Sequence, residues 1–184
     1  MNVIMKFGGT SVADAEAMTR VIGIVRRQWA DNPGDPPPVV VVSAMSKVTD
    51  RLVETGRLTG ERQAGQAAGI LSDLLERHIG VASSLVQGPA LEELQAQLTA
   101  DFTALSADVQ RWAAQGELTP AAADALQAMG ELASSRIVAA AFREQGVNAA
   151  WVDARQVLVT DGEHSAAVPD MEATAERTQA LLAS

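Results

Sequence analysis

Cysteine is absent from the 184 residues, and aromatic side chains amount to only 3%. Without thiols there is no disulfide scaffold, no thiolate zinc site and no cysteine nucleophile, and a cytoplasmic setting is the expectation. Basic residues are also in short supply. Fourteen Lys and Arg face 23 Asp and Glu, a formal net charge of −9 with a pI near 4.6. Such a surface argues against non-specific nucleic-acid binding and against an anionic membrane as partner. No apolar run approaches the length of a membrane span, and no basic segment followed by an apolar stretch marks a signal peptide. The two histidines, His78 and His164, are far apart and have no ligand spacing around them, so no metal site is expected. Neither the GxxxxGK[ST] loop nor the GxGxxG turn occurs. Internal repeats and low-complexity tails are missing too.

What remains is ordinary for a globular protein: 47% hydrophobic and 20% charged residues, enough for one domain with a sizeable core. Its organising stretch is Met5-Lys6-Phe7-Gly8-Gly9-Thr10-Ser11-Val12. A short apolar strand (Val3–Phe7) runs into a double glycine and then into a helix that starts near Ser11 or Asp14, with Ser11 and Asp14 placed to cap it. Glycines let backbone N–H groups approach an anion, a helix start adds unpaired N–H groups, and Lys6 adds a full charge. The stretch alone fits a phosphate site or a plain strand-to-helix turn with a solvated lysine.

The following helix repeats apolar residues at Val12, Met18, Val21, Ile22, Val25 and Trp29, and the Pro-rich segment 32–38 stops it. Val39–Val42 reads as a parallel strand buried on both faces, completing a right-handed βαβ unit. Small and polar residues follow from Ser43 to Asp50, at the strand end where open α/β sheets hold ligands, and a helix is expected over Thr49–Arg57. From about 60 to 115 the pattern is wholly helical. Leu71, Leu74, Leu75 and Ala82 mark one helix, and Leu91, Leu98, Leu105 and Trp112 recur every seven residues in the next. Gly88-Pro89 lets the two fold back as a hairpin. Thr119-Pro120 starts another helix, with an inner face of Leu126, Met129, Ala133, Ile137 and Ala140, ended by Gly146. Short strands are expected at Ala149–Val152 and Val157–Thr160, a turn at Asp161-Gly162, and a last helix capped by Asp170.

Polar residues emerge from apolar surroundings at Lys6, at the Ser43/Thr49 pair and at Glu131. Lys6 and Ser43 should lie along one sheet edge. Thr49 offers a hydroxyl beside the free N–H groups of a helix start. Glu131 is placed either to take a substrate ammonium, to hold Lys6, or simply to be solvated. The histidines, Met45 and the three tryptophans are expected to be structural, the last two kinds as core.

These residues carry a resemblance. Lys6-Phe7-Gly8-Gly9-Thr10-Ser11-Val12 is similar to the N-terminal signature of aspartate kinases. Val41-Val42-Ser43-Ala44-Met45 with Thr49, then Gly130-Glu131-Leu132-Ala133-Ser134, then Trp151-Val152-Asp153-Ala154-Arg155 resemble the blocks that follow, in the family's order. The resemblance implies a three-layer α/β/α sandwich of the amino-acid-kinase (carbamate-kinase-like) type. Its sheet is mostly parallel, and segment 60–115 is a helical hairpin insertion. It implies ATP, with Mg2+ carried on it, and L-aspartate as ligands. Lys6 would be catalytic and contact the phosphates with Gly8, Gly9 and Thr10. Ser43, Thr49 and Glu131 would line the aspartate site, and Asp153 and Arg155 would be structural. It also implies a homo-oligomer.

Family members continue with a Gly-Arg-Gly-Gly-Ser-Asp block, the rest of the nucleotide pocket and regulatory ACT domains, none of which falls within 1–184. The chain is therefore expected to be the N-terminal portion of such a domain, incomplete, inactive or nearly so by itself, and left with uncovered apolar surface. The alternatives are another amino-acid kinase, acting on glutamate or a nucleoside monophosphate, and a non-catalytic module for subunit contacts.

Overall fold

The computed structural model of the chain describes residues 3–182. The first strand, β1 (Ile4–Phe7), leads through a 3₁₀ turn at Gly9–Val12 into helix α1 (Ala15–Ala30). Asp14 caps α1 by accepting from the Ala17 N–H at 2.8 Å, while Ser11 belongs to the 3₁₀ turn and not to the cap. The chain returns as β2 (Val39–Val42), parallel to β1, with Ile4 opposite Val39 and Phe7 opposite Val42. Four helices follow: α2 (Val48–Gly60), α3 (Ala64–Leu85), α4 (Gly88–Gln115) and α5 (Pro120–Glu144). The remainder is thinner: a two-residue antiparallel ladder of β3 (Val159–Thr160) with β4 (Pro169–Asp170), then α6 (Met171–Leu182).

The expected helices form where the apolar period requires them. Thr119 caps α5 through its hydroxyl, with Pro120 at the first position, and Gly146 takes a φ of +76° after its end. Helices α3 and α4 run antiparallel, as shown by Gln95 bonding to Ser83 and by the His78 ring lying 5.5 Å from that of Phe102. Their inner residues Leu71, Leu74, Leu98, Phe102, Leu105 and Val109 join those of α1, α2 and α5 in one continuous hydrophobic core.

The sheet departs from expectation. Met5, Phe7, Val40 and Val42 pack against that core, but Ile4, Val39 and Val41 are 72%, 53% and 44% exposed. Four β-branched residues in a row specify a strand whose two faces are both apolar, yet only one face is covered by the described residues. Ala149–Val152 is not a strand. The Trp151 indole N–H donates to the Ser135 hydroxyl at 2.9 Å and its ring stacks 3.9 Å from the Arg136 guanidinium, so side chains rather than a ladder fix this segment. Of Val157–Thr160 only the last two residues pair. The tryptophans are not fully buried either: Trp29 is 37% exposed, Trp112 packs at the margin of the core, and Trp151 is partly buried. Met45, at 1% exposure, is core as expected, and Asp170 caps α6 by accepting from the Ala173 N–H.

Candidate functional site

The two parallel strands deliver two turns to one end of the sheet. The Ser43 N–H donates to the Phe7 carbonyl at 3.1 Å, so the ladder holds until both chains leave the sheet. From there Gly8–Ala13 and Ser43–Lys47 run side by side. Neither Gly8 nor Gly9 has a positive φ, so the glycines answer to space and not to backbone conformation. A Cβ on Gly9 would lie 2.9 Å from the Ala44 carbonyl oxygen, which means that only glycine lets the turns come this close. A Cβ on Gly8 would meet nothing within 4 Å, leaving the backbone there open. The Ser11 N–H closes on the Gly8 carbonyl at 2.9 Å, and fully buried Val12 pins the turn to the core.

Lys6 sits opposite Val41, on the uncovered face of the sheet with Ile4 and Val39. It is exposed and makes no ion pair or hydrogen bond with any described residue. Thr10 is exposed in the adjoining 3₁₀ turn. Across the gap, Thr49 is exposed in the first turn of α2, which begins one residue before it. The residue ahead of α2, Lys47, is left-handed at φ +68° and offers no side-chain cap. The first N–H groups of α2 therefore have no side-chain partner at the N-cap.

Helix α5 supplies the back wall. A Cβ on Gly130 would lie 2.7 Å from that of Ala44 and 3.1 Å from Val48 Cγ1, so α5 touches the second turn backbone-close. That contact lets Glu131 Oε1 accept from the Ala44 N–H at 3.2 Å. One turn on, buried Ser134 donates its hydroxyl to the Ser43 carbonyl at 2.7 Å. Lys6, Gly8, Gly9, Thr10, Ser43, Thr49 and Glu131 thus all gather at this end of the sheet. Glu131 bonds to the second turn and not to Lys6.

Sequence reasoning overlooked Ser134, Gly130 and Lys47 as parts of the site. The first was legible: Glu131 and Ser134 are three apart on a helix and so share a face. Asp153 and Arg155 are tied to each other. Their ion pair at 2.6 Å, with the carboxylate also capping the Arg155 N–H, holds the Asp153 carboxyl below the ordinary carboxylate range. A cleft of about 450 Å³ lies elsewhere, between α4, α5 and Trp151, and contains none of the predicted residues.

What the arrangement offers is an exposed cation, open glycine backbone and a helix start at the same end of the two-stranded sheet. Each of these features is of a kind that favours anionic groups. The profile of the amino acid kinase family matches residues 1–181. The chain belongs to the amino acid kinase family.

Among members with known roles, the chain is 34% identical over 156 residues to the chloroplastic bifunctional aspartokinase/homoserine dehydrogenase 1 of Arabidopsis thaliana, covering 85% of this chain and 16% of that protein. It is 32% identical over 174 residues to lysine-sensitive aspartokinase 3 of Escherichia coli K12, covering 95% of this chain and 36% of the other. The crystal structure of E. coli aspartokinase III in complex with lysine and aspartate superposes with a TM-score of 0.81 at 28% identity, over 99% of this chain and 38% of that one. The same enzyme with aspartate and ADP gives a TM-score of 0.76 at 30% identity. The fold is therefore the amino-acid-kinase α/β fold. The chain spans only about a sixth to two fifths of the length of these relatives.

Proposed function

We propose that the chain is the N-terminal part of an aspartate kinase, which transfers the γ-phosphoryl group of MgATP to the β-carboxylate of L-aspartate. The observation that carries this reading is the meeting of the Gly8–Ala13 turn and the Ser43–Thr49 turn under Gly130 and Glu131. The aspartokinase relatives support it along nearly the whole chain.

The chemistry asks for positioning. A carboxylate acceptor, with a pKa near 4, is already ionised at neutral pH and needs no general base. The obstacle is repulsion between two anions, so stabilisation must come from cations and N–H groups around the transferred group. Lys6 supplies the charge, with no acidic partner among the described residues to neutralise it. Gly8, Gly9 and Thr10 present backbone to the phosphates, and the open space over Gly8 fits an oxygen-rich group there. Mg2+ carried on the nucleotide would offset part of the phosphate charge. Ser43 and Thr49 are placed to hold the aspartate, Thr49 through its hydroxyl and the free N–H groups of α2. Glu131 keeps one oxygen on the Ala44 N–H and has a second for the substrate ammonium. The chain spans only part of the length of its aspartokinase relatives, so by itself it is expected to turn over little or nothing. A cytoplasmic homo-oligomer is the setting we propose for the whole enzyme.

The test is a substrate panel on the polypeptide that carries this chain. Phosphorylated product is trapped with hydroxylamine for L-aspartate and L-glutamate, and ADP release is followed with nucleoside monophosphates. Aspartate alone should give product. Preference for glutamate or a nucleotide would move the protein to another branch of the family, and no turnover with any acceptor would favour a subunit-contact module.

A further inference from the structure

Arg77 lies on α3, outside every motif that marks the site, and yet it touches both turns. Its Nη1 donates to the Ser46 carbonyl at 2.9 Å and its Nη2 to the Ala13 carbonyl at 3.1 Å. The side chain is partly buried and forms no ion pair with any described acidic residue. Its two acceptors are the carbonyls at the far ends of the two site turns. Ala13 immediately precedes the cap of α1, and Ser46 precedes the left-handed Lys47 at the start of α2.

The near ends of the turns are already fixed. The sheet bond from Ser43 to Phe7, the contact of Gly9 with Ala44, and the grip of Glu131 and Ser134 on Ala44 and Ser43 see to that. Among the described side-chain hydrogen bonds, Arg77 alone joins the two far ends. We propose that Arg77 is a positioning residue that sets the spacing between the phosphate-facing turn and the acceptor-facing turn, and with it the distance between the two reacting anions.

The residue type suits this task. A guanidinium is a rigid planar fork whose two terminal nitrogens hold two acceptors at a fixed separation, whereas an ammonium on a flexible stem does not. Arg77 faces backbone carbonyls and stands beside buried His78, so it acts through the turns and not on the substrate. The kinetic part of this inference rests on the aspartate kinase reading; the bridge itself does not.

The experiment compares the natural chain with Arg77→Lys and Arg77→Met by backbone amide hydrogen exchange. Both variants should raise exchange about tenfold or more at residues 9–13 and 44–48, as expected for losing charge-assisted hydrogen bonds, with α4 and the core of α5 unchanged. In the polypeptide that carries this chain, kcat for aspartate phosphorylation should fall at least about tenfold in both variants with the KM for MgATP little changed. Exchange rising evenly over the whole chain would show a merely structural role and overturn the proposal. So would full activity in Arg77→Lys, because charge alone would then suffice. If the local exchange rises but the unaltered polypeptide phosphorylates nothing, the functional reading fails and the positioning role with it, while the bridge stands as a structural feature.

Discussion

Replacing Gly130 by alanine sets two effects of known sign against each other. In a helix interior alanine is favoured over glycine by about 1 kcal/mol, so the change should stabilise α5 if nothing stands in the way. Something does: the new methyl would lie 2.7 Å from Ala44 Cβ, 3.1 Å from Val48 Cγ1 and 3.4 Å from Leu52 Cδ1. Carbon atoms prefer roughly 3.5–4.0 Å, so α5 must retreat by up to about 1 Å from the second turn. Overpacking of this kind costs about 1–3 kcal/mol. Retreat also stretches the Ala44–Glu131 bond, already 3.2 Å, and the Ser134–Ser43 bond. The expected net effect is destabilisation by about 1 kcal/mol, taken as the overpacking cost less the helix gain. Gly80→Ala is the control, since Gly80 lies in α3 with nothing within 4 Å of its Cβ position and should gain about 0.5–1 kcal/mol. Urea unfolding followed by circular dichroism measures both. If Gly130→Ala stabilised as much as Gly80→Ala, the close approach of α5 to the turn would be refuted.

Burial of His78 gives a pH signature. Its Nδ1 lies 2.6 Å from the Leu74 carbonyl, which can only accept, so Nδ1 carries the proton and the buried Nε2 is left without a partner among the described residues. Desolvation lowers its pKa to about 4, from 6.5. The unfolded chain binds the extra proton first, so this contribution to stability is complete above about pH 6.5 and is lost as the pH falls toward 4. The loss should reach about 2 kcal/mol between pH 7 and pH 5, above the range where carboxylates dominate. Urea titrations at the two pH values should show it, His78→Leu should flatten it, and an equal slope in the variant would count against it. Lys47 holds φ +68° at the entrance to α2, and its pairing with Asp50 at 3.7 Å is between highly exposed groups. Lys47→Gly should therefore stabilise the chain by about 0.5 kcal/mol, left-handed strain relieved less the entropy of glycine, and a measured loss would show that the lysine side chain holds the turn.

Much of this could be read from the residues. Periodicity located α1 and α3 to α5 because each has one apolar stripe facing a shared core, and Thr119-Pro120 and Asp170 are local signals that need no tertiary context. The first turn was legible because strand, glycine and helix start follow one another within a few residues, and the second because small and polar residues follow the Val39–Val42 strand directly. What failed depended on partners distant in sequence. Val39–Val42 looks buried on both faces, but a strand's own residues do not say which layer is present to cover them. Ala149–Val152 has the composition of a strand and no neighbour to pair with among the described residues, so Trp151 decides its path through Ser135 and Arg136. Arg77 carries no signal at all, since its two acceptors are backbone carbonyls 64 and 31 residues away.

The central claim is that Lys6 faces the transferred phosphate in an aspartate kinase. Its most direct test is hydroxylamine-trapped aspartyl phosphate formed from MgATP and L-aspartate by the polypeptide that carries this chain, compared with Lys6→Met. Because Lys6 is exposed and unpaired among the described residues, the unfolding midpoint should hardly move, while turnover should fall by at least about a hundredfold. Turnover that survives the substitution, or that falls only in step with stability, would contradict the account.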